Sequence, residues 1–176
     1  MIRMLSAFCL NHIPSRLVQG ALMAAFILLP PCRGWSAEPD PLLGTWLTQD
    51  REAVIELVQC KPHNDRSGQA GLCGRIAGIT LDHPDDPMPV DVWGRPQCGE
   101  IIIETGPRDA DGRWPGKILD PRKGSWYSVS LWIGPDGNLR VRGYIGISLF
   151  GETQSWTRYH GSLRADCLMQ RTAKAE

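Results

Sequence analysis

The chain has 176 residues, with 19 basic and 19 acidic side chains in balance, 42% hydrophobic residues, six cysteines and seven tryptophans. Arg3, Arg16 and Arg33 stand in the first 37 positions without an acid, so residues 38–176 carry 16 basic against 19 acidic side chains, a formal charge of −3. That surface gives no support to nucleic-acid or anionic-membrane binding, which call for concentrated positive charge, and 139 residues suit one domain with its own core.

Residues 1–37 read as a signal peptide. The arginines form a basic leader, and Ala21–Leu29 is an unbroken apolar run ended by Pro30 and Pro31. A retained helix would need roughly twenty apolar residues, so no stable membrane span is expected. Gly34, Ser36 and Ala37 offer small residues for cleavage, and the prolines before Cys32 argue against lipid attachment there. The expectation is an exported protein, periplasmic or secreted, with residues 38–176 as its single domain.

From Leu43 onward, short β-type runs alternate with Gly, Pro and Asp, and no helical period persists over eleven residues. Strands are expected at Gly44–Gln49, Ala53–Cys60, Leu72–Ile79, Glu100–Thr105, Gly116–Leu119, Trp126–Ile133, Asn138–Gly146 and Leu149–Arg158. Late in the chain the alternation is clear. Tyr127, Val129, Leu131 and Ile133 oppose Ser128 and Ser130, and Leu139, Val141, Ile145 and Ile147 oppose Arg140, Arg142 and Tyr144. Phe150, Glu152, Gln154, Trp156 and Arg158 share another face, whose direction the pattern leaves open.

Asp120–Gly124 and Gly134–Gly137 have hairpin chemistry, since proline presets φ and glycine accepts positive φ. Thr80–Gln97, with four acids and four prolines, reads as an irregular crossing loop at one mouth. The fold class is therefore all-β: an antiparallel up-and-down β-barrel of about eight strands, which removes exposed edges. A two-sheet sandwich is the alternative.

Cys60, Cys73, Cys98 and Cys167 remain after the signal segment. In an oxidising compartment they read as two disulfides with three possible connectivities. Cys60 and Cys73 end and open successive apolar runs, so they could bridge a hairpin mouth, which would leave Cys98 with Cys167. Spacings of 13, 25 and 69 residues contain no Cys-x-x-Cys knuckle, so no metal site is expected.

Gly44-Thr45-Trp46 opens the first strand and Trp156-Thr157-Arg158 ends the last. The pair is similar to the plug of lipocalin-like barrels, in which an arginine of the final strand lies across the indole of a Gly-x-Trp. Such a contact gains cation–π energy of about 0.5–2 kcal/mol while sealing the barrel. The alternative is a tryptophan anchoring an ordinary core, and in both readings Gly44, Trp46 and Arg158 are structural.

The order Leu43-Gly44-Thr45-Trp46, Leu72-Cys73-Gly74-Arg75-Ile76, Ile118-Leu119-Asp120-Pro121, Leu139–Gly146 and Leu149–Arg158 resembles a family of exported bacterial proteins known as domain of unknown function 2147. The resemblance covers nearly all of residues 43–158 and implies a lipocalin-like barrel in the cell envelope. It carries no catalytic residues to transfer, and Cys98 and Cys167 depart from its pattern.

Enzymatic readings find little footing. Asp82, His83, Asp85 and Asp86 crowd one loop but alternate with Pro84 and Pro87, the pattern of a solvated acidic loop. His63 and His160 have no evident nucleophile partner, and Ser128, Ser130 and Ser155 lack a nucleophile elbow. No catalytic residue and no cofactor is expected. Tryptophan is in surplus, and Trp126, Trp132, Tyr144, Phe150 and Trp156 are the candidate lining of a cavity for a small molecule with an apolar or ring portion; the alternative is that Trp93 and Trp114 cap loops while the rest pack the core or the barrel exterior. The leading expectation is a non-catalytic, exported ligand-binding or carrier protein. Its rivals are an envelope interaction module with a filled barrel and a hydrolase with a dispersed site.

Overall fold

The computed structural model describes residues 39–61, 70–83 and 85–169; the expected signal segment and His63 lie outside the described residues. Eight strands follow in order: β1 Gly44–Leu47, β2 Ala53–Cys60, β3 Gly71–Ile79, β4 Ile101–Thr105, β5 Trp114–Asp120, β6 Ser125–Ile133, β7 Leu139–Tyr144 and β8 Glu152–Arg158. Each pairs antiparallel with its sequence neighbours, and β8 returns to β1 through Trp46 with Arg158 and Leu47 with Thr157. The expected up-and-down barrel forms, and closure removes every strand edge.

Register decides which side chains point inward. Trp46 pairs with Ile55, Ile55 with Ile76, and Leu57 with Gly74, which in turn pairs with Ile103. In the other half Trp114 pairs with Leu131, Gly116 with Val129, and Leu139 with Trp156. The large side chains of these rows are buried in one core. Space inside is tight enough that two inward positions admit no side chain. A Cβ on Gly74 would meet Ile103 and Leu57 at 2.9 and 3.0 Å, and one on Gly116 would strike the Glu104 carbonyl and the Thr105 backbone.

Because consecutive strands alternate in direction, the β1–β2, β3–β4, β5–β6 and β7–β8 connections gather at one end. The β2–β3, β4–β5 and β6–β7 connections, with the approach to β1, form the other. The strand ends follow local chemistry. β1 stops at Leu47, two residues short of the expected Gln49, because the Thr48 hydroxyl donates to Asp50 (2.6 Å) and accepts from the Ala53 N–H (3.0 Å), closing a side-chain-bonded turn.

The largest departure from the sequence pattern lies between β7 and β8. β7 ends at Tyr144, Gly146 takes φ +71°, and Ser148–Phe150 form one 3-10 turn, so Ile145 and Ile147 are exposed rather than buried with Leu139 and Val141. Phe150 likewise leaves the strand row of Glu152 and is exposed. Arg142, on the outer face of β7, holds this excursion: its guanidinium donates to the Ser148 carbonyl at 2.7 Å and to the Thr153 hydroxyl at 2.8 Å.

Both disulfides are present as Cys60–Cys73 and Cys98–Cys167. The first ties β2 to β3. The second ties the C-terminal tail to the loop before β4, beside the Ile79 N–H donating to the Cys167 carbonyl (2.6 Å) and the Met169 N–H donating to the Ile79 carbonyl (2.9 Å). Replacing Cys98 and Cys167 together by serine releases a cross-link spanning 69 residues, for which chain entropy gives a loss of about 4 kcal/mol. Urea denaturation of the double variant should show that drop; a loss well under 1 kcal/mol would mean that the tail docks without the bond.

Candidate functional site

The two ends of the barrel differ in kind. At one end the Arg158 guanidinium lies 3.8 Å from the Trp46 ring centroid and donates to the carbonyls of Leu43 and Pro41, both at 2.7 Å. The Trp46 indole N–H donates to the Leu42 carbonyl at 2.8 Å, and Leu42 is itself buried. Gly44 sits at φ +112°, and a Cβ there would meet Arg158 Nη1 at 2.8 Å, so both conformation and space call for glycine. Desolvation lowers the Arg158 pKa from its ordinary value without threatening its charge. This end is sealed.

The other end is a cup. Two recesses, of about 690 and 480 Å³, open between the strand ends and share Ile118 and Arg122 as walls. Val141, Gly143, Glu152 and Gln154 line the larger one, and Ile55, Ile76, Ile102 and Trp156 line the smaller. The β8 row Glu152, Gln154, Trp156 thus points inward, as its pairing with Gly143, Val141 and Leu139 requires. The Trp156 indole N–H donates to Gln154 Oε1 at 2.8 Å, which fixes the amide and leaves its nitrogen as a donor. Among the described residues no polar partner is found for the Gln154 amide nitrogen, the Tyr127 and Tyr144 hydroxyls or the Arg122 guanidinium, all of which border the larger recess.

The larger recess carries charge of both signs. Arg122 and Lys123 stand on the β5–β6 turn beside it, with Lys123 3.6 Å from Asp120, and Glu152 lines it as well. Asp50, Glu52, Asp82 and Asp86 rim the smaller one. Within the acidic loop the His83 backbone N–H donates to Asp86 at 2.8 Å. No cluster of three or more potential metal ligands occurs among the described residues, and none of their helices is long and apolar enough to cross a membrane.

The aromatic set expected to line one cavity is divided by the strand parity. Trp156 faces the smaller recess, while Tyr144 and Phe150 reach the rim of the larger. Trp132, whose pairing partner is the outward Arg140, is on the outer wall with Arg113 4.4 Å over its ring. Trp126 is also outside, sharing with Trp93, Arg95 and Ile101 an open groove of about 770 Å³. Arg122 and Gly143, which sequence reasoning had not singled out as site residues, border the cup. A turn residue carries no periodicity that would aim it at a lumen, and a glycine inside an inward row does not tell open space, as at Gly143, from close approach, as at Gly74 and Gly116.

Asp91 organises the loop over that outer groove. Its buried carboxylate accepts the backbone N–H groups of Trp93 (2.9 Å) and Arg95 (2.8 Å) and the Arg95 Nε (2.6 Å), and Arg95 also reaches Glu100 at 3.1 Å. Burial opposes ionisation of Asp91, but these donors outweigh it and hold its pKa below the usual range. Glu100 is the reverse case: burial first, then the negative Asp91, raises its pKa despite Arg95.

Residues 44–158 match the model of a family described as an uncharacterized protein conserved in bacteria, DUF2147, and the chain belongs to this family. No curated protein and no solved structure matches the chain.

Arg158→Ala should cost about 2–4 kcal/mol, combining the cation–π contact with two charge-assisted hydrogen bonds, and Arg158→Lys should recover less than half of it. Urea titration of the three proteins tests this, and a full recovery by lysine would reduce the plug to simple charge. Glu100 gives a pH test. Its folded pKa is raised, so its ionisation penalises the fold as pH rises through that value. Glu100→Gln should therefore stabilise the protein at neutral pH and give no gain at about pH 3, below the ordinary glutamate range. Equal gains at both pH values would show that charge is not the source.

Proposed function

We propose that this DUF2147 member is an exported, non-catalytic protein that binds a small polar molecule, with an apolar or ring portion, in the open end of its barrel. The observation that carries this reading is the cup itself. A barrel core filled to both ends would serve stability better, yet this one stops at Trp156, Val141 and Ile118 and leaves about 690 Å³ beside donors that have no partner among the described residues. A site of this kind supplies apolar contact from Ile118 and Val141 and directional bonds from Tyr127, Gln154 and Arg122, the usual division of labour in ligand pockets. Export is supported by the two disulfides, which persist in oxidising compartments, and by the basic leader and apolar run at the N-terminus.

A second reading, an envelope interaction module, has its own observation: the outer groove bearing half-exposed Trp93 and Trp126, residue types that dominate protein interfaces.

Native mass spectrometry of the protein recovered from its own cells separates the two. The binding reading expects a stoichiometric small-molecule mass released on denaturation. Gly143→Leu supplies the control, because a Cβ there meets nothing within 4 Å and the side chain would project into the larger recess and take up part of it. The variant should melt like the parent and lose the bound mass. A protein that is empty, or that retains its ligand with leucine at position 143, overturns the assignment to this recess, and a co-purifying polypeptide lost in Trp126→Ser favours the second reading.

A further inference from the structure

The larger recess holds four charged side chains, and their pairing is uneven. Lys123 lies 3.6 Å from Asp120, so those two answer each other at the β5–β6 turn. Arg122 and Glu152 border the same recess without an ion-pair partner among the described residues. They also belong to opposite flanks of the mouth. Arg122 follows the end of β5 and Glu152 opens β8, three steps around a closed ring of eight in which four steps would be diametrically opposite. With neighbouring strands about 4.8 Å apart, backbones so placed are at least about 11 Å from each other. Between the two charges the wall changes character. Ile118 and Val141 are apolar, while the Tyr127 hydroxyl and the Gln154 amide nitrogen border the recess as donors with no partner among the described residues. Ile145 (76% exposed) and Phe150 (80%) add uncovered apolar surface at the rim.

We propose that the ligand of this recess is a zwitterionic chain of about tripeptide length, with its carboxylate at Arg122, its ammonium at Glu152 and apolar side chains between them. The inference rests on the binding reading above and names the ligand class for the same site. A single α-amino acid carries both charges on one carbon and cannot reach from one flank of the mouth to the other, whereas three extended residues span about 10 Å. Peptide carbonyls supply the acceptors that the Gln154 amide and the Tyr127 hydroxyl lack. A guanidinium takes a carboxylate through paired N–H groups, which suits Arg122 to the C-terminal end. A ligand of one sign fares worse at this site. An anion would satisfy Arg122 but bring negative charge toward Glu152 and Asp120, and a cation would meet Arg122 and Lys123 in the same way. Opposite charge on the two flanks thus selects against both single-sign classes.

The test is calorimetric titration of the protein from its own cells with trileucine, with N-acetyl-trileucine, which lacks the ammonium, and with trileucine amide, which lacks the carboxylate. Trileucine should bind, and loss of either charge should weaken binding about fivefold, the scale of a partly exposed charge pair. The sharper readout matches each loss to its residue. Glu152→Gln should weaken trileucine by a similar factor and become indifferent to acetylation, and Arg122→Gln should become indifferent to amidation. Both side chains are exposed, so both variants should melt like the parent. Failure of trileucine to bind, or an acetylation effect as large in Glu152→Gln as in the parent, would overturn the proposal. Mass spectrometry of the native ligand separates that failure from failure of the binding reading. A released molecule that is lost in Gly143→Leu but takes no amine-reactive label keeps the cup as a binding site and removes the zwitterion. A protein that is empty as recovered and indifferent to trileucine removes both.

Discussion

Closure of β8 on β1 is the constraint on which the rest of the molecule depends. The seam is short, with two register pairs, and it is reinforced by the Tyr159 N–H donating to the Thr45 carbonyl (2.9 Å) and the Thr45 hydroxyl donating to the Tyr159 carbonyl (2.9 Å). Arg158 extends the seam past the last strand pair by bonding the carbonyls of Leu43 and Pro41 ahead of β1. A side chain from the last strand thereby satisfies backbone acceptors that precede the first. Without that closure β1 and β8 would be edges, and the inward rows would have no lumen to fill.

Closure also makes the two ends unequal. The sealed end takes the largest side chains, with Trp46 and Leu42 fully buried under Arg158. Toward the open end the inward positions become smaller or more polar: β7 passes from Leu139 through Val141 to Gly143, and β8 from Trp156 through Gln154 to Glu152. Each pair across this seam loses apolar volume in step with its partner. The cup is therefore graded into the sequence of two adjacent strands rather than left by a packing fault.

Much of this was legible in the sequence, and the limits have physical causes. The Gly44–Trp46 and Arg158 signals were readable because a positive φ, a close approach and a cation–π contact each demand a residue type. The β6 alternation was readable because Val129 and Leu131 are buried to completion. What stayed open was the face of the Phe150–Arg158 row, since a period of two carries no sign; pairing with Leu139 and Val141 supplies it. The placement of Ile145 and Ile147 went astray because the alternation continues in the sequence after the strand has ended. The force that ends it, Arg142 gripping the Ser148 and Leu149 carbonyls, is a contact over six and seven residues that no periodicity encodes. Trp126 and Trp132 were grouped with Trp156 by chemistry, whereas strand parity puts them on the outer wall.

The rim of the cup is held before anything enters it. Its walls are paired strands, Arg142 fixes one rim loop, and the Thr48–Asp50 turn closes on its own side chains. Asp91 ties down the long β3–β4 connection, and the Cys98–Cys167 bond anchors the segment where that connection re-enters the barrel. Ordering loops and side chains is among the main costs of association, at about 0.5–1.5 kcal/mol for each rotamer-rich side chain immobilised. A cup built this way leaves that cost mainly to Arg122 and Glu152, the exposed charged groups at its lip. On the proposed binding reading, discrimination falls to groups already in position, above all the Gln154 amide oriented by Trp156, so that selectivity would follow the ligand's acceptor geometry more than its bulk.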